Sequence, residues 1–133
     1  MLLFGNTSLK ELINLETKEQ KFYRCEICGN LVGLIESADL PLYCCGEEMT
    51  CLEGEKPSFE IKSENKDGIL KVTFGGDNGS APSLDWAYLQ TTKGGQRKAL
   101  DGGNVAEFAL TKDENPKEIF AYSTVFGLIR SQI

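Results

Sequence analysis

Apolar and polar residues alternate along much of the chain after residue 57, which is the pattern of half-buried β-strands. The alternation covers Phe59–Ile61 and Leu70–Phe74, and the segment between them, Asn65–Gly68, is typical of a hairpin turn. Turn signals recur about every eight to twelve residues, which predicts an antiparallel β-sandwich over residues 57–133. Its further strands are predicted around Trp86, Tyr88 and Gln90, over Ala106–Leu110 and over Ile119–Ile129, with a second hairpin turn at Lys93–Gly95.

The first part of the chain contains shorter elements. Ser8–Glu11 has the form of a capping box and leads into apolar residues at helical spacing, so we predict a short helix from about Ser8 to Glu16 in an N-terminal extension, residues 1–20. This helix either caps the domain or forms a dimer contact. Residues 21–52 alternate short apolar runs with cysteine-bearing turns, which predicts small strands. The polar segment Cys51–Lys56 is predicted to be the linker to the sandwich.

Charge and the absence of histidine narrow the function classes. The 133 residues include 14 Lys and Arg against 20 Asp and Glu, a net charge of −6, so no nucleic-acid partner is expected. The chain contains no histidine, which excludes Ser-His-Asp and Cys-His nucleophiles, histidine-based zinc hydrolases and iron sites that require two histidines. No apolar run is long enough to span a membrane and the first residues do not form a signal peptide, so we expect a cytoplasmic protein without a membrane partner.

Four of the five cysteines form the strongest motif, Cys25-x2-Cys28-x15-Cys44-Cys45. Four thiolates suit one tetrahedral metal ion, and their softness favours iron or zinc. A glycine follows Cys28 and another follows Cys45, and glycine at positive φ allows the backbone to fold around a sulfur and point its N–H at the thiolate. Disulfides and inert buried cysteines fit this spacing poorly. A structural zinc site requires the same four ligands, so it is the main alternative to an iron site. Cys51 lies outside the motif and is predicted to be a small core residue, with a redox thiol as the alternative.

The residues around these cysteines carry a resemblance to a known family. Phe22–Val32 (FYRCEICGNLV) and Leu42–Met49 (LYCCGEEM) resemble desulforedoxin and the N-terminal module of desulfoferrodoxin, the two-iron superoxide reductases. The adjacent pair Cys44-Cys45 distinguishes this pattern from rubredoxins and zinc ribbons. The resemblance implies a distorted rubredoxin-type iron centre with four cysteine ligands, a one-electron Fe(III)/Fe(II) couple and a homodimer. Zinc can take the place of iron in such a ligand set.

The resemblance continues to about residue 130 and implies an immunoglobulin-like superoxide reductase sandwich. In that family the catalytic iron is held by four histidines and one axial cysteine. The segment Glu55-Lys56-Pro57 resembles the family's Glu-Lys-His segment, so the glutamate and the lysine persist while Pro57 stands in place of a histidine.

The other catalytic ligands of the family are also replaced in this chain. Pro82 stands where a histidine precedes the string matched by Leu84–Trp86, and a His-Pro element has no counterpart in Gly75–Ala81. Ser123 replaces the axial cysteine and Phe126 the last histidine. The framework is therefore expected to persist without its catalytic iron, and no residue pattern supports a small-molecule pocket in its place.

These observations predict a mainly β protein in three parts: the N-terminal extension, a desulforedoxin-like module over residues 21–52 and a superoxide reductase-like sandwich over residues 57–133. The expected function is one-electron transport to or from an unknown redox partner protein, or redox sensing, at iron held by Cys25, Cys28, Cys44 and Cys45. Superoxide reductase activity is expected to be lost, and no catalytic residue is assigned. The alternative is a structural zinc module whose sandwich binds another molecule.

Overall fold

The computed structural model describes residues 20–76 and 81–133. These residues fall into two compact units that divide between Leu52 and Glu53. Every pair of strands among them is antiparallel, and the mainly β fold class is confirmed. The helix predicted from about Ser8 to Glu16 lies outside the described residues.

Five short strands form the first unit as far as it is described: β1 (Phe22–Arg24), β2 (Leu31–Gly33), β3 (Tyr43–Cys44), β4 (Glu47–Glu48) and β5 (Thr50–Leu52). Three of them form a sheet in the order β2-β1-β5, and β3 pairs with β4. Within residues 20–52 only three side chains are buried, those of Phe22, Cys25 and Met49. An apolar core of this size is too small to stabilise the unit by burial alone, so a further constraint on the fold is expected.

The second unit is a β-sandwich of two sheets, ordered β10-β7-β6 and β12-β11-β8-β9. Its strands are β6 (Ile61–Lys66), β7 (Ile69–Phe74), β8 (Trp86–Thr91), β9 (Gly95–Ala99), β10 (Val105–Ala109), β11 (Pro116–Ser123) and β12 (Gly127–Gln132). Alternate side chains of both sheets point inward and form one apolar core. The buried core residues are Leu70, Val72, Phe74, Leu84, Ala87, Leu89, Ala106, Phe108, Ile119, Ala121 and Ile129.

Both predicted hairpin turns are confirmed. Asp67 and Gly68 connect β6 to β7 with φ of 54° and 78°, so both central residues are left-handed as a type I′ turn requires. Glycine at the second position adopts this conformation without steric cost. Between β8 and β9, the N–H of Thr91 donates to the carbonyl oxygen of Gly94 at 2.8 Å and closes the second turn.

The segment predicted to be a linker is only partly irregular. Cys51 lies within β5, where it is paired with Tyr23. Glu55 forms a parallel bridge with Ile129: its N–H donates to the Leu128 carbonyl at 3.0 Å, and its own carbonyl accepts from Arg130 at 2.9 Å. The polar composition of the segment Cys51–Lys56 suggested a loop. Backbone pairing does not depend on side-chain polarity, and here it orders the segment at Cys51 and at Glu55.

Candidate metal centre

The first two cysteines lie on a tight turn at the end of β1. The N–H of Gly29 donates to the Cys25 carbonyl at 2.8 Å, and the N–H of Cys25 donates to the Asn30 carbonyl at 2.8 Å. Gly29 has a φ of 82°, a left-handed conformation that side-chain-bearing residues rarely adopt. This turn brings the Cys25 and Cys28 thiols to the same side of the backbone.

The second pair of cysteines lies on the hairpin between β3 and β4. Cys44 is the last residue of β3 and pairs with Glu47, so Cys45 and Gly46 are the two turn residues. Their φ values are 56° and 77°. A left-handed non-glycine residue is uncommon, and Cys45 adopts this conformation in the turn that places its thiol next to that of Cys44. The glycine at position 46 completes the two-residue turn.

The four cysteine sulfurs converge on one point. All four Sγ atoms lie within 4.8 Å of one another, with 3.6 Å between Cys28 and Cys44 and 3.9 Å between Cys44 and Cys45. A tetrahedral ion with metal–sulfur bonds of about 2.3 Å requires sulfur–sulfur separations of roughly 3.8 Å. The donor set and its spacing therefore fit a four-thiolate iron or zinc ion. Cys25 is buried, whereas Cys28 and Cys45 are exposed.

Backbone and side-chain N–H groups surround these sulfurs. The Cys28 N–H lies 3.5 Å from the Cys25 sulfur, and the Asn30 N–H lies 3.4 Å from the Cys28 sulfur. The Asn30 side-chain amide also donates to the Cys44 sulfur at 3.7 Å. The expectation that glycine supplies the N–H is wrong for Gly29, because that N–H bonds to a carbonyl oxygen instead. The Asn30 amide was not identified from sequence, since an asparagine after a Cys-Gly pair has many alternative roles.

Three of the four thiols, those of Cys25, Cys44 and Cys45, have shifted pKa values. The hydrogen bond from the Cys28 backbone lowers the pKa of Cys25 to about 6. Hydrogen bonding with the Cys28, Cys25 and Cys44 thiols raises the pKa of Cys45 to about 12. The pKa of Cys44 is also raised, mainly by its hydrogen bond with Cys28. Thiolate character is therefore greater at Cys25 than at Cys44 or Cys45, which must release their protons when a metal ion binds.

Cys51 does not belong to the four-cysteine cluster, and its side chain is exposed. The prediction that it is a core residue is wrong, because its side chain is exposed. It lies opposite Tyr23 on β1, which in turn lies opposite Val32 on β2, so the three share one face of the sheet. Burial, followed by the charge and hydrogen bond of Cys51, raises the pKa of Tyr23. Alternation along this short, half-exposed strand places Cys51 towards solvent.

Two comparisons of sequence find similarity to desulfoferrodoxins. Residues 17–52 match the family described as "Desulfoferrodoxin, N-terminal domain". A desulfoferrodoxin of Syntrophotalea carbinolica is 26% identical over 118 residues, which cover 83% of this chain and 94% of that protein. Residues 17–52 are thus similar to the N-terminal domain of desulfoferrodoxins, and the chain is similar over most of its length to one desulfoferrodoxin.

The chain also shares its fold with a solved structure. The crystal structure of the superoxide reductase from Treponema pallidum matches with a TM-score of 0.72 and 22% identity, over 86% of this chain and 99% of that one. The prediction of a small metal-binding module followed by an immunoglobulin-like sandwich is therefore confirmed at the level of fold. Within the described residues, no helix is long and apolar enough to cross a membrane.

Three residues that stand where the resemblance places superoxide reductase ligands lie in the second unit: Pro82, Ser123 and Phe126. Pro82 and Phe59 both pack near Gly75, where an added Cβ would lie 3.0 Å from the proline ring and 3.4 Å from the phenylalanine. The Phe59 ring contacts Phe126 edge-on, with 5.9 Å between ring centroids. Ser123 is buried, and its hydroxyl oxygen accepts the N–H of Phe126 at 2.8 Å and that of Val125 at 3.2 Å. Phe126 therefore packs against another aromatic ring, and Ser123 stabilises a turn.

The other residues that match the superoxide reductase pattern are exposed, half-buried or stacked on an aromatic ring. Glu55 and Lys56 are exposed, and Pro57 is half-buried. Trp86 stacks on Tyr122 with ring centroids 5.6 Å apart and planes 15° apart. In the part of the chain that the structure describes, the four cysteines are the only group of three or more Cys, Asp or Glu side chains positioned to hold a metal ion.

Proposed function

We propose that Cys25, Cys28, Cys44 and Cys45 bind one iron ion and that the protein transfers single electrons or senses redox state. The observation that carries the proposal is the convergence of four sulfurs within 4.8 Å, at separations that suit tetrahedral thiolate coordination. The similarity to desulfoferrodoxins over residues 17–52 supports iron over zinc. When bound, the ion would supply an Fe(III)/Fe(II) couple that exchanges one electron.

The residues around the cluster suit this role in two ways. The N–H groups of Cys28 and Asn30 place positive dipole ends against the sulfurs, which offsets the negative charge of four thiolates and favours the reduced state. Exposure of Cys28 and Cys45 leaves one edge of the cluster open to a redox partner protein. A protein partner, a homodimer and a cytoplasmic location stay predictions.

We also propose that superoxide reductase activity has been lost. The absence of histidine removes four ligands of that site in the related family, and Ser123 cannot replace its axial thiolate because its hydroxyl caps a turn. Pro82 and Phe126 stand where the resemblance places histidine ligands, and the Phe126 ring packs against Phe59. The exposed pair Glu55 and Lys56 cannot hold a redox iron without further ligands.

Metal analysis and visible spectroscopy test the metal assignment. The chain purified from iron-replete cells is expected to contain one iron ion, to absorb in the visible through ferric–thiolate transitions, and to bleach with dithionite. The donor set accepts zinc with equal geometry, so zinc-replete and iron-replete cultures should be compared. A colourless protein with one zinc ion from iron-replete cells would contradict electron transfer and support the structural zinc alternative.

A superoxide assay tests the loss of activity. The iron-loaded wild type is expected to consume superoxide no faster than a Lys56→Ala variant with the same iron content. Without a catalytic iron in the second unit, Lys56 cannot contribute to superoxide reduction. Cytochrome c reduction driven by xanthine oxidase measures the rate, with an active superoxide reductase as the positive control. Catalytic consumption that Lys56→Ala abolishes would show that the second unit retains the activity.

A further inference from the structure

The two pairs of cysteines differ in the hydrogen bonds that reach their sulfurs. In the first pair, the backbone N–H of Cys28 lies 3.5 Å from the Cys25 sulfur, and that of Asn30 lies 3.4 Å from the Cys28 sulfur. Within the part of the chain that the structure describes, no backbone N–H donates to the sulfur of Cys44 or Cys45. Backbone dipoles therefore offset the negative charge of the first pair of thiolates but not that of the second.

The hairpin between β3 and β4 accounts for this difference. Cys44 and Glu47 flank its two-residue turn and pair with each other, so their N–H groups point into the ladder. The N–H of Met49 donates to the Leu42 carbonyl at 2.7 Å, which continues the same alternation along the hairpin. These backbone N–H groups are occupied by strand pairing, so a donor to the Cys44 sulfur has to come from elsewhere.

The side chain of Asn30 is such a donor. Its Nδ2 lies 3.7 Å from the Cys44 sulfur, although the two residues are 14 positions apart in the chain. The backbone of Asn30 is held by the first turn, because its carbonyl accepts the Cys25 N–H at 2.8 Å and its N–H faces the Cys28 sulfur. One residue therefore contacts the first pair of cysteines through its backbone and the second pair through its side chain.

This contact gains strength when the thiol of Cys44 loses its proton. A side-chain amide presents two N–H donors on one side and an acceptor oxygen on the other, whereas a thiolate can only accept. Deprotonation leaves no proton to be shared between the Cys44 and Cys28 sulfurs, and the bond from the Asn30 amide becomes charge-assisted. The positive end of the N–H dipole interacts more favourably with a more negative cluster, so it stabilises the reduced state more than the oxidised state.

We propose that the Asn30 side-chain amide is the hydrogen-bond donor of the second cysteine pair and raises the reduction potential of the metal centre. The amide acts through the Cys44 sulfur, so Asn30 is a positioning residue and not a ligand. The effect on the potential rests on the proposed iron function, whereas the contact with Cys44 does not depend on which ion the site holds. Cys45 receives no such bond from the described residues, so the sulfurs of the adjacent pair are unequal.

Substitutions at position 30 isolate the side chain, because each variant can keep both backbone bonds. Asn30→Leu removes the donor at similar volume. Its iron-loaded form is expected to have a lower reduction potential by about 30 mV, which is about threefold in the ratio of reduced to oxidised protein. Asn30→Asp places a carboxylate of the same shape beside the sulfur, and at about pH 8 the ratio should fall at least about tenfold, or about 59 mV. Asn30→Gln keeps an amide on a longer side chain and should recover part of the loss.

Redox titration of the full chain, followed by its visible ferric–thiolate absorption, measures these potentials. An unchanged absorption spectrum shows that a variant keeps its four ligands. Asn65→Leu is the matched control, because it makes the same change at an exposed asparagine of the β6–β7 hairpin, and its potential should equal that of the wild type. A potential of Asn30→Leu that equals or exceeds the wild-type value would overturn the proposal and leave the iron function intact.

A second measurement tests the contact without iron and without a variant that has to fold. The wild-type chain, isotope-labelled and loaded with an NMR-active cadmium isotope, should show scalar coupling between a side-chain N–H proton of Asn30 and the cadmium. Such coupling is transmitted through the hydrogen bond and the Cys44 sulfur, so a role of Asn30 in folding alone would not produce it. Absence of the coupling overturns the proposal for any metal. Its presence, in a chain that binds only zinc in iron-replete cells, would support the donor assignment and contradict electron transfer instead.

Discussion

Replacing Cys44 with serine is expected to lower the metal content of the purified chain at least about tenfold and to unfold the first unit. The Cys44 sulfur lies 3.6 Å from that of Cys28 and 3.9 Å from that of Cys45, so it belongs to the proposed ligand set. A serine hydroxyl is a poor ligand for the soft site that three thiolates leave. Changes next to a ligand already cost about 10- to 100-fold in metal affinity, and loss of the ligand itself should cost more.

Unfolding is expected because the described part of the first unit, residues 20–52, has only a small apolar core. Of the described residues 20–52, only Phe22, Cys25 and Met49 are buried, and Cys25 is itself a proposed ligand. In small metal-binding domains the free energy of metal binding is largely the free energy of folding. Hydrogen exchange should therefore show loss of protection in β1, β2 and β5 of the variant, while the strands of the sandwich stay protected.

Cys51→Ser is the matched control for this prediction. It makes the same chemical change at an exposed cysteine of the same unit that lies outside the cluster. Metal content, visible absorption and hydrogen exchange are expected to match the wild type. A Cys44→Ser variant that keeps its metal and its protected amides would contradict the four-ligand assignment, and equal losses in both variants would indicate a general effect of cysteine removal.

The spacing of the cysteines in the sequence was sufficient to predict the composition of the candidate site. Two cysteines separated by two residues fit one turn, and an adjacent pair followed by glycine fits another, so local geometry explains each pair, while the four-thiolate chemistry of one metal ion suggested that the pairs meet. The environment of the sulfurs could not be predicted in the same way. The bond from the Asn30 amide to Cys44 joins residues 14 positions apart, and it depends on how the two turns face each other.

Exposure of single residues was also difficult to predict from sequence. Cys51 was expected in the core because an isolated cysteine is usually buried, yet β5 places it on an exposed face opposite Tyr23. In the second unit, alternation predicted the strand around Leu70 correctly, since Leu70, Val72 and Phe74 are buried on one face of a six-residue strand and leave a clear period of two. A three-residue strand is too short to show this period.

The second large effect is expected in the sandwich. Phe108 lies on β10, is fully buried, and belongs to the core that joins the two sheets. Phe108→Ala removes most of an aromatic ring from that core and leaves a cavity, which typically costs about 3–5 kcal/mol of unfolding free energy. Urea denaturation measures the change through the fluorescence of Trp86, the only tryptophan of the chain, which is buried on β8 of the same unit.

Phe126→Ala provides the matched control, because it deletes the same side chain at a position that is 42% exposed. Its loss of stability should be well below that of Phe108→Ala, since the partly exposed ring buries less apolar surface. Both variants should retain the metal content and visible absorption of the wild type, because the four cysteines belong to the other compact unit. The opposite outcome is that Phe108→Ala releases the metal and that Cys44→Ser also unfolds the sandwich. The two units would then fold as one, and the metal would stabilise the whole chain rather than the first unit alone.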